Sequence, residues 1–327
     1  MYLVTGGAGF IGSNLVAALA DRGHEVVVCD WLRQDERWRN LAKHEIAGII
    51  APPALQDWLR KRPGRLTAVV HLGAISSTTE SDIDLIADNN IRATLDLLDW
   101  CTATDTRFLY ASSAATYGDG SAGFDDDASP AALARLRPLN AYGWSKHVVD
   151  RRIARLRERR TLLPPQCVGL KFFNVYGPNE YHKASMKSVI AQNYARVLTG
   201  EPLRLFRSYR PDYADGGQLR DFIYVRDCVE VILWLLHEPQ VSGLFNVGTG
   251  KARSWLDLGK ALFAAIGREP RIEFIDMPAP LIEKYQYHTA ARMDKLAAAG
   301  FPNKLCDIET GVRDYVQTFL GAQDPYR

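Results

Sequence analysis

The sequence predicts an α/β protein, a doubly wound parallel sheet carrying a smaller α/β substrate domain. Three observations lead there. Short, wholly apolar runs alternate with stretches of helical spacing through the first half, as strands covered on both faces by helices require. A glycine-rich run separates the first of these strands from the first helix. The chain has 327 residues and is 47% hydrophobic, enough for one large or two unequal globular units.

In chain order, Tyr2–Thr5 reads as a strand and Ile11–Ala20 as a helix. Glu25–Cys29, Ala68–Leu72 and Arg107–Ala111 read as further strands, with a helix over Ile91–Cys101. After Lys171 the pattern loosens. Asn174–Asn179 reads as a turn cluster and Pro211–Gly217 as a loop. Leu244–Val247 and Ile272–Ile275 are the remaining strand-like runs, followed by terminal helices. The expected division is 1–173 plus 222–250 for a dinucleotide-binding domain, and 174–221 plus 251–327 for a substrate domain.

Bulk properties narrow the classes. A net charge of +2 offers no case for a nucleic-acid or membrane partner. The basic run Arg151–Arg160 reads as a solvated helix face. Five scattered cysteines without a CxxC pair argue for reduced thiols and a cytoplasmic location. Seven histidines form no HExxH or HxH pair, so no metal is expected. A strand-like run beginning at Tyr2 leaves no room for a signal peptide, and no apolar run reaches spanning length.

Chemistry enters with Gly6-Gly7-Ala8-Gly9-Phe10-Ile11-Gly12. Glycines there allow a tight turn and a close approach of a pyrophosphate, which the following helix N-terminus attracts. The second strand ends in Asp30, whose carboxylate can hold adenosine ribose hydroxyls and favours NAD. Arg33 and Arg37 follow and can bind a 2′-phosphate, which favours NADP.

A proton-handling set comes next. Tyr142 and Lys146 are four apart, on one face of a helix, where an ammonium is expected to lower the phenol's pKa. Ser113 stands at the carboxyl end of a strand, where ligands bind in open α/β sheets. Its hydroxyl can bond the substrate oxygen that Tyr142 deprotonates.

Together these segments resemble the extended short-chain dehydrogenase/reductase family, also described as NAD-dependent epimerases and dehydratases, with its Rossmann fold. The likeness spans GGAGFIG at 6–12, Asp30, HLGA at 71–74, Asn89, SSAATYG at 112–118, YGWSK at 142–146 and FFNVYGP at 172–178. It implies Tyr142 as base, Ser113 as the group polarising the substrate oxygen, and Lys146 as a further contact to the cofactor. It further implies dinucleotide contacts from Gly6, Gly9, Phe10, Ile11, Gly12, Asp30, Trp31, Arg37, Leu72, Gly73, Ala74, Ile75, Ser76, Asn89, Tyr142, Lys146 and Val175.

Within the family the chain is similar to members acting on an ADP-linked heptose. LGAISSTTE at 72–80, LYASSAATYG at 109–118, HKASM at 182–186, RDFIYV at 220–225 and KYQ at 284–286 carry this likeness. It implies inversion at C6 through a transient 6-keto sugar, with Lys183 as a second acid/base. Asn174, Ser185, Gln192, Phe206, Arg220 and Tyr285 would meet the sugar nucleotide, with Ser113. Three departures stand out. Gln192 occupies a position expected to hold histidine, the loop 207–219 looks long, and Trp31 and Pro52 replace a small polar residue and a lysine. NADP is the expected cofactor, with NAD as the alternative. A small-molecule nucleotide sugar is the expected partner, and a homo-oligomer the expected assembly. A UDP-hexose 4-epimerase and a non-catalytic NAD(P) sensor are the competing readings.

Overall fold

A computed structural model describes residues 1–62, 66–282, 285–302 and 304–327. Lys284 of the KYQ segment therefore lies outside the described residues. Among the described residues, twelve strands occur in chain order. They are β1 (Tyr2–Thr5), β2 (Val26–Cys29), β3 (Gly48–Ile50), β4 (Ala68–His71), β5 (Arg107–Ser113) and β6 (Cys167–Phe172). After these come β7 (Asn174–Tyr176), β8 (Leu203–Phe206), β9 (Leu219–Tyr224), β10 (Gly243–Val247), β11 (Ala252–Ser254) and β12 (Ile272–Ile275).

Seven strands form one sheet in the order β10-β6-β5-β4-β1-β2-β3, and every pairing in it is parallel. The order reverses between β1 and β4, so the carboxyl ends of these two strands border a crevice where such sheets bind ligands. Period two explains the wholly apolar strands. Leu3, Val27, Val69 and Phe108 face one core with Leu97, Leu98, Val149 and Ile153 from helices Ala93–Ala103 and Ala141–Glu158. Val4, Val28, Val70 and Leu109 face the other, with Leu15 and Leu19 of helix Phe10–Ala20 and Val229 and Ile232 of helix Val225–His237.

The remaining strands build two small sheets, β11-β9-β7 and β12-β8. A third core lies among them, holding Phe10, Tyr176, Leu205, Phe222, Leu262 and Val312. Phe222–Tyr224 thus pairs with β7, and the chain rejoins the large sheet at β10.

Several boundaries differ from expectation. β3 escapes a periodicity reading because it has three residues at a sheet edge. Asn174–Tyr176 is a strand instead of a turn, because it pairs with Phe222–Tyr224, forty-odd residues away in sequence. The helix expected over Ile91–Cys101 runs from Ala93 to Ala103, preceded by a π-helical turn over Ala87–Arg92. All five cysteines are unpaired, four of them buried. Among the described residues, no helix is long and apolar enough to cross a membrane.

Candidate active site

The glycine loop closes as the sequence requires. Gly6 has φ +66°, and a Cβ there would lie 2.6 Å from the amide nitrogen of Gly73. A Cβ on Gly12 would strike the Gly6 carbonyl. The loops after β1 and β4 can therefore approach only through glycine. Helix Phe10–Ala20 begins at Gly9 without a side-chain cap, so its first N–H groups remain free for an anion. The carboxylate of Asp30 accepts from the amides of Ala8 at 2.9 Å and Trp31 at 2.7 Å. Burial raises its pKa, and these amide bonds offset part of the rise.

Gly6, Asp30, Trp31, Arg37, Gly73, Ala74, Ile75 and Asn89 all line one cavity of about 360 Å³ at the switch point. Arg33 and Pro52 share its wall. Leu72 and Ser76 belong to the same loop after β4. Phe10, Ile11 and Val175 meet instead in the third core, behind the glycine loop. The cradle, the free helix end and the carboxylate suit the pyrophosphate and adenosine of a dinucleotide.

A buried chain of hydroxyls holds this cavity in shape. Thr94 Oγ1 donates to the Asn90 carbonyl at 2.7 Å and lies 2.9 Å from His71 Nε2. His71 Nδ1 is 2.6 Å from Thr5 Oγ1, which accepts from Gly73 N at 3.2 Å. The chain is satisfied when Nε2 carries the proton and Nδ1 accepts from Thr5. Burial agrees, since it pushes His71 down to about 3. Asn90 accepts from Ile75 N at 2.8 Å and donates to Ile75 O and Ser145 Oγ, each at 3.0 Å. The π-helical turn supplies this division, leaving Asn89 on the cavity wall and burying Asn90. Sequence reasoning missed Asn90 and His71 as positioning residues. Their signal was a polar residue at a strand end and a second asparagine beside the first.

Tyr142 and Lys146 lie one turn apart on helix Ala141–Glu158, and Ser113 ends β5. Asn140 caps helix Ala141–Glu158, accepting from Gly143 N at 2.8 Å. Gly143 lets that helix pack on the turn Ala114–Tyr117, since a Cβ there would be 2.6 Å from the Ala115 carbonyl. Ser113 starts the same turn, accepting from Ala115 N at 3.1 Å, and its hydroxyl acts on the Tyr142 phenol in the direction that lowers its pKa. Lys146 is 2% exposed.

The electrostatics correct one expectation. Tyr142 is raised, not lowered: burial outweighs the lowering by Ser113. Lys146 is itself pushed down to about 8 by burial, with Asp150 pulling the other way. Asp150, four residues beyond Lys146, is fully buried. It accepts from Ser112 Oγ at 2.7 Å and Tyr110 Oη at 3.1 Å, and pairs with Lys171 at 3.4 Å. Lys171 also donates to Thr116 Oγ1 at 2.6 Å. This network ties β5, β6 and the Tyr142 helix together beneath the site.

The residues expected at the sugar nucleotide form separate groups. Phe206, Arg220 and Tyr285 cluster: the Arg220 guanidinium lies 5.0 Å from the Tyr285 ring centroid, and Tyr285 meets Phe206 edge-on. Arg220 is 7% exposed, and among the described residues no carboxylate pairs with it. Asn174 is partly buried at the start of β7. Gln192 is already engaged, its amide donating to the carbonyls of Ser185 at 3.1 Å and Lys187 at 2.6 Å. Lys183 sits 5.2 Å over the Phe10 ring, beside the glycine loop and without a hydrogen bond to Tyr142. Burial lowers its pKa, and the buried Glu180 raises it.

A Rossmann sheet with a glycine loop and a cavity at its switch point defines a dinucleotide-binding class, and the chain belongs to the NAD dependent epimerase/dehydratase family, whose model matches residues 2–248. A relative from Nitratidesulfovibrio vulgaris (strain DP4), an ADP-L-glycero-D-manno-heptose-6-epimerase, is 52% identical over the full length of both chains. A Fusobacterium nucleatum protein of the same name is 41% identical, again over both full lengths. Among solved structures, the Helicobacter pylori ADP-L-glycero-D-manno-heptose-6-epimerase superposes with TM-score 0.79 at 29% identity, covering 97% of this chain and 95% of that one. A Thermus thermophilus UDP-glucose 4-epimerase in complex with NAD superposes with TM-score 0.76 at 30% identity, covering 98% and 99%. A nicotinamide dinucleotide is thus the cofactor, and nucleotide sugars are the substrate class.

Proposed function

We propose that the protein inverts C6 of ADP-D-glycero-β-D-manno-heptose, giving ADP-L-glycero-β-D-manno-heptose as a precursor of the lipopolysaccharide inner core. The observation that carries this reading is the likeness, over the whole of both chains, to two heptose epimerases. The Ser113–Tyr142–Lys146 set supplies the matching chemistry. Bound, the nicotinamide supplies reversible hydride exchange at carbon. Ser113 and Tyr142 bond the C6 oxygen, and Tyr142 takes its proton, leaving a 6-keto sugar. Turning that sugar presents its other face, and the carbonyl oxygen then meets a different donor. Lys183 is assigned that second role, its ammonium made a better proton donor by burial. Arg220, between Tyr285 and Phe206, is assigned to the diphosphate, with Asn174 and Ser185 at the sugar.

NADP is the proposed dinucleotide, with Arg33 on the cavity wall as a cation for its 2′-phosphate, and NAD is also accommodated. Segments 174–221 and 251–327 are proposed as the sugar-nucleotide portion of a cytoplasmic homo-oligomer.

Incubation with the D-glycero substrate, followed by chromatographic separation of the C6 epimers, tests the reading. Conversion of the one epimer to the other is expected. No second epimer after long incubation, with nucleotide bound, overturns it; turnover of UDP-galactose in its place points to 4-epimerisation. Lys183→Ala should abolish epimerisation while dinucleotide binding survives, and a fully active variant removes Lys183 from the mechanism.

A further inference from the structure

Arg37 was expected to be free for a 2′-phosphate, but another residue of its own loop holds it. Its Nε donates to both carboxylate oxygens of Asp35, at 2.8 and 3.1 Å, and its Nη2 donates to Oδ2 at 2.7 Å. Nη1 reaches the Trp31 carbonyl at 3.3 Å. The guanidinium fork that would grip a phosphate is therefore already closed on a carboxylate. The Arg37 side chain is 15% exposed, so the pair is screened less than an ion pair open to water.

Asp35 is anchored independently. It caps the turn Glu36–Asn40, accepting from Arg37 N at 3.0 Å. The carboxylate thus stays where it is whether or not Arg37 remains bound to it. Arg37 lines the same cavity as Asp30. A ribose with a free 2′-hydroxyl meets Asp30 as a neutral donor. A 2′-phosphate there must take Arg37 from Asp35 and then lie beside an uncompensated carboxylate.

We propose that Asp35 sets the dinucleotide preference by holding the Arg37 guanidinium away from a 2′-phosphate, lowering affinity for NADP while leaving NAD untouched. The inference rests on the reading that the adenosine ribose lies beside Asp30.

Calorimetric titration of the nucleotide-stripped protein with NAD+ and with NADP+ provides the test, on the wild type, Asp35→Asn, Arg37→Gln and the double variant. Asparagine keeps the cap and removes the charge, so the turn should persist. Asp35→Ser, another capping residue, is the second variant should Asp35→Asn fold poorly. Expected is a roughly tenfold gain in NADP+ affinity in Asp35→Asn, with NAD+ changed less than about twofold, and no gain when Arg37→Gln is also present. An equal change for both dinucleotides, no change for either, or a gain that survives Arg37→Gln overturns the role of Asp35. A separate titration of Asp30→Asn with NAD+ checks the underlying placement. Unaltered NAD+ affinity there overturns the adenosine site itself, and the inference with it.

Discussion

Lys146 carries its charge at a cost. The ammonium is buried, and its folded value of about 8 lies below the ordinary 10.5. Below pH 8 both the folded and unfolded chains hold the proton, so the folded state bears the whole burial penalty. Between about 8 and 10.5 the folded state releases it first, and the penalty is relieved. Lys146→Met should therefore be more stable than the wild type at pH 7, by on the order of 2 kcal/mol. That advantage should shrink in thermal denaturation at pH 9.5, and a constant difference would contradict the buried-cation account. Tyr142 has the opposite need. As burial holds the phenol protonated, its basicity in turnover depends on positive charge nearby. Tyr142→Phe should lower kcat by about 10²- to 10⁴-fold with dinucleotide affinity retained, as read by steady-state kinetics beside a binding titration. Arg220 is a second buried cation, with no carboxylate partner among the described residues. Arg220→Met should raise KM for the nucleotide sugar by about tenfold or more without loss of thermal stability.

Among the elements, helix Ala141–Glu158 does the most positioning. One face presents Tyr142, Lys146 and Asp150 at successive intervals of four, and Asp150 anchors that face to β5 and, through Lys171, to β6. Removing one charge of a buried pair leaves the other uncompensated. Asp150→Asn should cost about 3–5 kcal/mol, measured by chemical denaturation, and should depress activity even where the protein stays folded. The glycine loop works by absence of side chains, and the strand–loop–helix order around it was readable because every part is local.

At the scale of the molecule, Asn179 joins helix Phe10–Ala20 to the C-terminal Arg327. It is fully buried, in the left-handed region at φ 71°, a conformation asparagine tolerates. Its side-chain Nδ2 donates to Ser13 Oγ at 3.0 Å, on the helix behind the glycine loop, and its side-chain Oδ1 accepts from Arg327 N at 3.0 Å. Asn14 repeats the link, donating to the Pro178 carbonyl at 2.9 Å. Asn179→Ala strands a buried hydroxyl and an amide and places alanine at positive φ. A loss of about 1–3 kcal/mol of unfolding free energy is expected in urea denaturation, with weaker dinucleotide binding as the loop loosens.

Strands β1, β2, β4, β5, β10 and β12, the glycine cradle, Asp30, and the four-residue spacing of Tyr142 and Lys146 could all be read from residues close together in the chain. Each rests on short-range geometry: a period of two or 3.6, a tight turn, a spacing of four. Pairings between distant segments could not be read that way. β7 became a strand only through β9, and Asn90 acquired its role only where Ile75 and Ser145 converge. Nor could burial be read from spacing, and burial reversed the expected shift of Tyr142. Arg37 and Asp35 are two residues apart, yet their closed fork depends on how the turn after β2 folds. Local sequence names the donors and acceptors, while the packed chain decides which of them meet and how much water is left between them.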